Sequence, residues 1–266
     1  MTEQSFNISP YFDDFNEDKQ FYRILFNPSR PVQARELTQI QSILSNQNKK
    51  LLEHFFEEGS IVIPGQLAYD SIYSFVKVES QYLGNDITLS DFQGKTIIGQ
   101  TTGVKALVIK ITDLDNTDPN TLFIKYLNSG TNGTSKTFSD GELLETDEDI
   151  PIFVNVLSAN STGFGSSVNI EEGWYFINGM LCKALKQALI LDKYSNSPSY
   201  KIGLEIKQTI VNSGDDSSLL DNALGAPNLF APGADRYKIE LVLAKKTLDE
   251  PETENFIELL LSLIHI

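Results

Sequence analysis

Few residues of this chain have side chains that could do chemistry together. The 266 residues include two histidines, His54 and His265, and one cysteine, Cys182. A single thiol cannot form a disulfide framework, and one thiol with two histidines falls short of the four ligands of a structural zinc site. His54 stands beside two phenylalanines in a predicted helix with no second ligand nearby, and Cys182 follows a predicted turn within an apolar run. We expect structural roles for both residues, and no Ser-His-Asp or Cys-His catalytic machinery.

Two loops have the composition of ligand-binding motifs but lack their defining positions. Residues 113–120 resemble the start of an EF-hand calcium loop, but Asp118 stands where glycine is required and Ile124 where a bidentate Glu is required. Residues 163–167 are rich in glycine, but no Lys-Ser/Thr pair follows them as in a phosphate-binding loop. No spacing rule identifies or excludes a pair of glycosidase carboxylates among the scattered Asp and Glu residues. We therefore identify no catalytic, cofactor-binding or metal-binding residues in the sequence. We expect a protein that is not an enzyme.

The net charge of the chain limits the classes of molecule that it is expected to bind. Asp and Glu total 36 against 21 Lys and Arg, which gives a formal net charge of −15. A surface this acidic repels phosphate backbones and anionic lipid headgroups, so we expect binding neither to nucleic acid nor to a membrane. Hydrophobic residues make up 41% of the chain, enough for a sizeable core. The first residues lack the basic start and apolar stretch of a signal peptide, and no run reaches the length of a membrane span.

The chain begins with an aromatic, irregular arm, residues 1–30. Its phenylalanines and tyrosines are interleaved with acidic residues, and Pro28 and Pro31 block regular structure at its end. An arm with this many aromatic side chains is not expected to be a free tail. Two alternatives stay open: the arm packs on its own domain, or it packs on a neighbouring subunit.

Residues 31–58 are predicted to form one long helix, because Pro31 suits a first turn and Gly59 suits an end. Leucines spaced by seven fill one seam position of a heptad pattern, and the other seam position includes a polar side chain. The predicted interface residues of this seam are Leu37, Ile40, Leu44, Gln47, Leu51 and Phe55. The helix either lies on its own β-domain or forms a self-associating bundle. Gln47 favours the bundle, because polar seam residues fix the register.

After the helix the sequence is typical of antiparallel β-structure, so the predicted fold class is α+β, mainly β. Short apolar runs bounded by turn residues predict strands, and Asn178-Gly179 indicates a tight hairpin. Residues 59–82 and 150–248 are predicted to form the main β-domain. Residues 83–149 have denser turns and end in a predicted acidic loop, residues 142–149. They are expected to form a small inserted β-barrel-like module.

The end of the chain combines a loop, a continuation and an apolar hexapeptide. Residues 213–235 are predicted to be a long loop because Asp, Gly, Pro and Asn dominate them. Residues 249–260 are expected to begin a truncated continuation. Residues 261–266 match a translation of CTG TCT CTT ATA CAC ATC, the mosaic end of a transposase sequencing adapter, and are expected to be a sequencing artefact. The alternative is a genuine apolar strand.

Several stretches resemble a known family. They are residues 11–15 with 21–28, residues 31–41 with their Gln-Ala-Arg-Glu-Leu-Thr-Gln run, and residues 226–228 with 231–236. Together they resemble the N-terminal domain of unknown function of large contractile-tailed phage structural proteins of the baseplate or tail-fibre type. Residues 94–103 also resemble a small β-module that recurs in baseplate wedge proteins. The likeness spans residues 8–260, and the family implies a virion structural role with no catalytic residues.

The function expected from this resemblance is that of a phage virion structural protein of the tail, baseplate or fibre-attachment region, assembled in the host cytoplasm. The expected partners are further copies of itself, with a trimer favoured, and other tail or baseplate proteins. The alternative is a glycan-binding adhesin or tail-fibre module that recognises the host surface. Trp174, the only tryptophan, is the best candidate for that role. It lies in a predicted strand beside a tight hairpin, however, where packing in a core is expected.

Overall fold

The computed structural model describes residues 5–115, 117–131, 133–221, 228, 232–251 and 253–263. The structure is mainly β, with 41% strand and 12% helix, and its sheets are antiparallel. One α-helix, α1, occurs in the described residues. The predicted fold class is therefore confirmed.

The helix α1 (Ala34–Leu52) is shorter than the predicted span of residues 31–58. At its start the carboxylate of Glu36 accepts a hydrogen bond from the Gln33 N–H at 2.7 Å, and Gln33 has extended backbone angles. This cap makes the helix begin after Pro31 and not at it. Past Leu52 the chain continues through turns that keep the helical period for a few residues, which is why periodicity alone extended the prediction.

Sixteen β-strands follow in the described residues. In chain order they are β1 (Ile61–Ile63), β2 (Leu67–Lys77), β3 (Gln81–Tyr82), β4 (Asn85–Asp86), β5 (Thr96–Gly99), β6 (Lys105–Thr112), β7 (Thr121–Tyr126), β8 (Leu143–Thr146), β9 (Phe153–Asn155), β10 (Thr162–Ile170), β11 (Gly173–Ile177), β12 (Met180–Ala184), β13 (Gln187–Asp192), β14 (Ser199–Val211), β15 (Arg236–Thr247) and β16 (Phe256–Leu263). Strand β8 lies where an acidic loop was expected. Leu144 and Thr146 on alternate positions are buried, and this burial outweighs the acidic composition of the segment.

The chain folds into two compact units. Within the described residues, the first unit is formed by Met1–Leu67, Ile170–Gln187 and Lys201–Leu261. It holds α1 and two three-stranded sheets, ordered β1-β11-β12 and β15-β14-β16. Asn178 and Gly179 join β11 to β12 with φ values of 49° and 79°, the geometry of a type I′ turn. The predicted Asn-Gly hairpin is thus confirmed.

The second unit is formed, again within the described residues, by Ala68–Asn169, Ala188–Tyr200 and Ser262–Ile266. Its eight-stranded sheet, ordered β13-β10-β2-β7-β6-β5-β8-β9, curls into a half-barrel. The buried core of this unit includes Val76, Phe92, Ile97, Val108, Leu122, Leu144 and Val154. Residues 83–149 supply β5 to β8, and β7 pairs with β2 outside that range. Whether residues 83–149 can be removed as a separate module stays a prediction.

The end of the chain is only partly described. Strand β16 includes the first three residues of the hexapeptide 261–266, and His265 lies outside the described residues with its two neighbours. The adapter origin of the hexapeptide stays a prediction. Of the loop predicted at residues 213–235, the beginning forms turns and a short 3-10 helix, Ser217–Leu219. Residues 222–227 and 229–231 of that loop lie outside the described residues.

The tip of the β3–β4 hairpin provides a test of local backbone strain. Leu83 has φ 49° and Gly84 has φ 82°, so the two residues form a type I′ turn, and the Leu83 side chain is 83% exposed. A leucine in the left-handed region costs about 1 kcal/mol, and Asn is the residue that best tolerates it. We therefore expect Leu83→Asn to raise the free energy of unfolding by about 1 kcal/mol, measured by urea denaturation.

The matched control for this change is Leu83→Ala, which removes the exposed side chain but keeps the unfavourable backbone angle. We expect Leu83→Ala to unfold at the same urea concentration as the wild type. A lower urea midpoint for Leu83→Asn would show that the leucine side chain offsets its own backbone strain.

Candidate assembly surface

One face of α1 is packed within the first unit. The Ser42 hydroxyl donates a hydrogen bond to the Asp13 carboxylate, and the Gln39 side-chain amide donates one to the Asp14 carboxylate. Ile43, on the same side of the helix, is buried. The stem of Lys49 lies so close to the hairpin turn that a Cβ atom at Gly179 would come within 2.5 Å of its Cγ. This face of α1 is therefore already occupied.

The opposite face of α1 presents an apolar stripe to solvent. Leu37, Leu44 and Leu51 are 53%, 55% and 59% exposed. At about 100° per residue, these three leucines lie within roughly 40° of one another and about 80° to 120° from Ile43. A helix that only covers its own domain would carry polar side chains on that face. We call Leu37, Leu44 and Leu51 the leucine stripe.

The remaining predicted seam residues flank or extend this stripe. Gln47 is exposed, whereas Ile40 is half-buried, so Ile40 is partly used inside the first unit. Phe55 lies in the turns after α1 and is 71% exposed. The structure thus exposes four of the six predicted seam residues on α1 and a fifth, Phe55, just after it. Their role as an interface stays a prediction.

The N-terminal arm divides into two halves with different surroundings. The first half is fastened to its own unit: Phe6 packs edge-on against Tyr237 at 5.0 Å between ring centroids, and the Tyr11 hydroxyl donates to Asp235 at 2.5 Å. That hydrogen bond raises the pKa of Tyr11. Asp13 is buried beside α1. For this half, packing on its own domain is the alternative that the structure bears out.

The second half of the arm has almost no partner in its own chain. Phe21, Tyr22, Leu25 and Phe26 are exposed, and Ile24 is half-buried. Among the described residues, no hydrogen bond involves the backbone of residues 21–26. We call residues 21–26 the free arm segment, and for it the alternative of packing on a neighbouring subunit remains open.

A third apolar surface lies at the edge strand β1. Ile63 pairs with Trp174 on β11, and Ile61 and Ile63 are each about half exposed. Trp174 is 37% exposed because it is the one residue of β11 whose side chain faces away from the core. The expectation that Trp174 packs inside a core is therefore not met. We call Ile61, Ile63 and Trp174 the β1 patch.

The calcium-like loop joins β6 to β7 and is held together without a metal ligand set. One Asp115 carboxylate oxygen accepts hydrogen bonds from the N–H groups of Thr117 and Asp118, at 2.9 and 2.8 Å. Lys193 Nζ lies 2.6 Å from Asp118 Oδ2 and 3.2 Å from Asp115 Oδ2. A single lysine ammonium thus bridges the two carboxylates and neutralises part of their charge. The sequence could not reveal this partner, because Lys193 lies 75 residues from Asp118 along the chain.

This loop gives a prediction about acid stability. Hydrogen bonds from Thr117, Asp118 and Lys193 hold the pKa of Asp115 well below its usual 3.8. A lowered folded-state pKa stabilises the fold above the unfolded-state pKa, and this stabilisation is lost as the pH falls below about 4. We expect Asp115→Asn to unfold at a lower temperature than the wild type at neutral pH, and the gap to close as the pH falls below about 4.

The control for Asp115→Asn is Asp113→Asn, which removes an exposed carboxylate from the same loop. Melting temperatures of the three proteins across the acid range give the comparison, and Asp113→Asn should follow the wild type. A gap between Asp115→Asn and the wild type that does not change with pH would contradict the assigned cause.

A buried carboxylate that sequence reasoning missed organises the turn after β5. Glu142 is 3% exposed, and its Oε1 accepts hydrogen bonds from the N–H groups of Thr101 and Thr102, at 2.9 and 2.6 Å. The Thr102 hydroxyl donates to the same oxygen at 2.9 Å, and Oε2 accepts from the Ser139 N–H at 2.9 Å. A Cβ atom at Gly99 would lie 2.4 Å from Oε1. This arrangement holds a turn and leaves no open oxygen for a substrate.

The residues singled out for chemistry do not come together. Burial raises the pKa of the Cys182 thiol to about 11, and the nearby Glu58 carboxylate adds to this, so the thiol is inert at neutral pH. His54 is exposed in the turns after α1. In the part of the chain that the structure describes, no three His, Cys, Asp or Glu side chains are grouped to hold a metal ion. No helix in that part is long and apolar enough to span a membrane.

A family model matches most of the chain. The model of a domain of unknown function, DUF4815, matches residues 9–143 and 155–260. Neither the curated proteins nor the solved structures gave a significant match. The matched residues cover most of the chain, including the arm, α1 and both units, and the chain therefore belongs to the DUF4815 family.

Proposed function

We propose that this protein is a virion structural component of the tail, baseplate or fibre-attachment region of a contractile-tailed phage, and that it acts by subunit assembly and not by catalysis. The protein is assembled into the particle in the host cytoplasm. The observation that carries the assembly role is the leucine stripe, which lies exposed on the face of α1 opposite its packed side. The resemblance of segments within residues 11–41 to phage structural proteins supports the proposal that the particle is a phage virion.

The energetics of the stripe favour association. Each leucine of the stripe keeps about half of its side chain in water, so covering it contributes about 1 kcal/mol. Three leucines from each chain, brought together in two or three chains, offset part of the entropy lost on association. The remaining stabilisation must come from further apolar surface, and the free arm segment and the β1 patch supply such surface on the same unit.

The proposed partners are further copies of this chain and other tail or baseplate proteins. Gln47 beside the stripe limits the registers in which helices can pair, because a polar side chain in a seam tolerates few arrangements. A homotrimer is the favoured assembly. A mixed bundle with a neighbouring tail protein would cover the same stripe. The mass of the purified complex distinguishes this mixed bundle from a homotrimer.

The proposal is tested on purified virus particles. Antibodies against this chain should label tails or baseplates in electron micrographs, and peptides of residues 5–263 should appear in the proteome of the particles. Antibodies against a capsid protein serve as the control for position. The proposal fails if the chain is produced in infected cells but is absent from the particles, or if the protein hydrolyses host polysaccharide.

One specific observation favours the glycan-binding alternative: the side chain of Trp174 is exposed. Because Trp174 is the only tryptophan, its fluorescence reports on this site alone. Saturable quenching by host surface polysaccharide, with binding lost in Trp174→Ala by calorimetry, would favour the adhesin. We expect no change in emission when polysaccharide is added.

A further inference from the structure

The free arm segment is a mainly apolar stretch, between the packed first half of the arm and α1, that does not pack on its own unit. Phe21, Tyr22 and Leu25 are each more than 60% exposed, whereas the preceding arm residues are fastened to α1 and β15. The backbone of residues 21–26 makes no hydrogen bond among the described residues, so it is free to pair with a strand. A segment with this composition gains most by docking on another surface.

The β1 patch has the matching properties of an acceptor. Among the described strands, β1 pairs only with β11, so one side of its backbone is unpaired. Ile63 and Trp174 stand directly opposite each other and both are exposed. The patch and the free arm segment of the same chain are both exposed, so the segment does not cover the patch of its own copy.

The charges of the two surfaces are complementary. Residues 21–35 contain three arginines, Arg23, Arg30 and Arg35, and no acidic residue, in a chain whose net charge is −15. The β1 patch is bordered by acidic residues that precede the strand and that lie before β11. These exposed glutamates are Glu57, Glu58, Glu171 and Glu172. Glu171 and Glu172 already form ion pairs with Lys186 and Lys183, each at 2.7 Å, so the net negative charge of the border comes from Glu57 and Glu58. The basic stretch of residues 21–35 in one copy is thus attracted to Glu57 and Glu58 beside the patch on another.

We propose that the free arm segment of one copy docks on the β1 patch of a second copy of this chain, adding extended backbone beside β1 and covering Ile61, Ile63 and Trp174. This inference rests on the proposed assembly function. It adds a second contact between subunits to the one made by the leucine stripe. Because β1 has three residues, its backbone offers few hydrogen bonds, and burial of the aromatic and aliphatic side chains supplies the rest.

The test uses cysteines placed on separate copies. Leu25→Cys protein is mixed with Ile63→Cys protein and oxidised mildly, and we expect a disulfide between residues 25 and 63 of different copies, identified by peptide mapping. Both replaced side chains are exposed, so neither change disturbs a core. The native Cys182 does not interfere, because it is buried.

The control mixes Leu25→Cys with Leu83→Cys, a thiol in the second unit at a position more exposed than Ile63, so that access alone would favour the control. A yield of the 25–63 disulfide no higher than that of the control overturns the inference. If that happens while the wild type is an oligomer by light scattering, the assembly function stands and only the arm contact falls. If the wild type is also a monomer, both the homo-oligomer and the arm contact fall.

The single tryptophan gives an independent readout. Docking of the arm buries Trp174, so its emission should shift to the blue as the protein concentration rises. A Tyr22→Ser/Leu25→Ser double variant should keep the free-state emission at concentrations where the wild type has shifted. Equal shifts in both proteins would show that something other than the arm covers the patch.

Discussion

Replacing Leu44 by Asp should dissociate the assembled protein into folded monomers. Leu44 stands at the centre of the leucine stripe, 55% exposed in the single chain, so a carboxylate there is solvated in the monomer. In a helix bundle the same carboxylate would be buried without a partner, which costs about 3 kcal/mol or more at each interface. That penalty weakens association by about a hundredfold or more. Light scattering measures the mass, and circular dichroism shows whether α1 and the sheets remain.

The control for Leu44→Asp is Ser45→Asp, which adds the same charge to α1 at an exposed position about 100° around the helix. Ser45→Asp should assemble like the wild type. A monomeric wild type, with and without its tail-protein neighbours, would make α1 a strut within its own domain. The same conclusion follows if Leu44→Asp unfolds a monomer and changes no stoichiometry.

The parts of this fold that the sequence predicts are those whose signals are local. The spacing of Leu37, Leu44 and Leu51 is a property of one helix, and Asn178-Gly179 sets its own backbone angles. Both are found in the structure. The ends of α1 are harder to predict from sequence, because the turns after Leu52 continue the helical period with a mixture of i→i−3 and i→i−4 hydrogen bonds.

The parts that sequence reasoning missed depend on contacts between distant positions. Strand order places β2 between β7 and β10, and no local pattern encodes that pairing. Tryptophan usually favours burial, but Trp174 is the one residue of β11 whose side chain points to solvent. Glu142 was assigned to an acidic, solvated loop by composition, whereas its four hydrogen-bond donors come from residues 101, 102 and 139. A buried carboxylate is recognised only once its donors are in place.

Glu142 is therefore a polar residue of the second unit whose loss should be costly. In Glu142→Ala the buried Thr102 N–H and hydroxyl lose their acceptor, and so do the N–H groups of the more exposed Thr101 and Ser139. Leaving such groups unpaired costs about 1 to 3 kcal/mol each, reduced where water enters the space that the side chain vacates. We expect Glu142→Ala to lower the free energy of unfolding by about 3 kcal/mol, measured by urea denaturation followed by circular dichroism.

Two further variants of the same strand region separate this cause from a general loss of charge. Glu142→Gln keeps an oxygen for the donors of Thr101 and Thr102 but turns an NH₂ group towards the Ser139 N–H, so it should cost about half as much as Glu142→Ala. Glu148→Ala removes an exposed carboxylate that pairs with Lys95 at 2.7 Å, and should cost about 0.5 kcal/mol or less.

Hydrogen exchange locates the effect of Glu142→Ala within the second unit. The amides of Thr101, Thr102 and Ser139 should exchange faster in Glu142→Ala than in the wild type, because their protection depends on the carboxylate that accepts them. Trp174 emission should stay unchanged at low urea, because that residue belongs to the first unit. If Glu142→Ala unfolds at the same urea concentration as Glu148→Ala, the carboxylate does not hold the turn, and the threonines must be positioned by the β5–β6 hairpin itself.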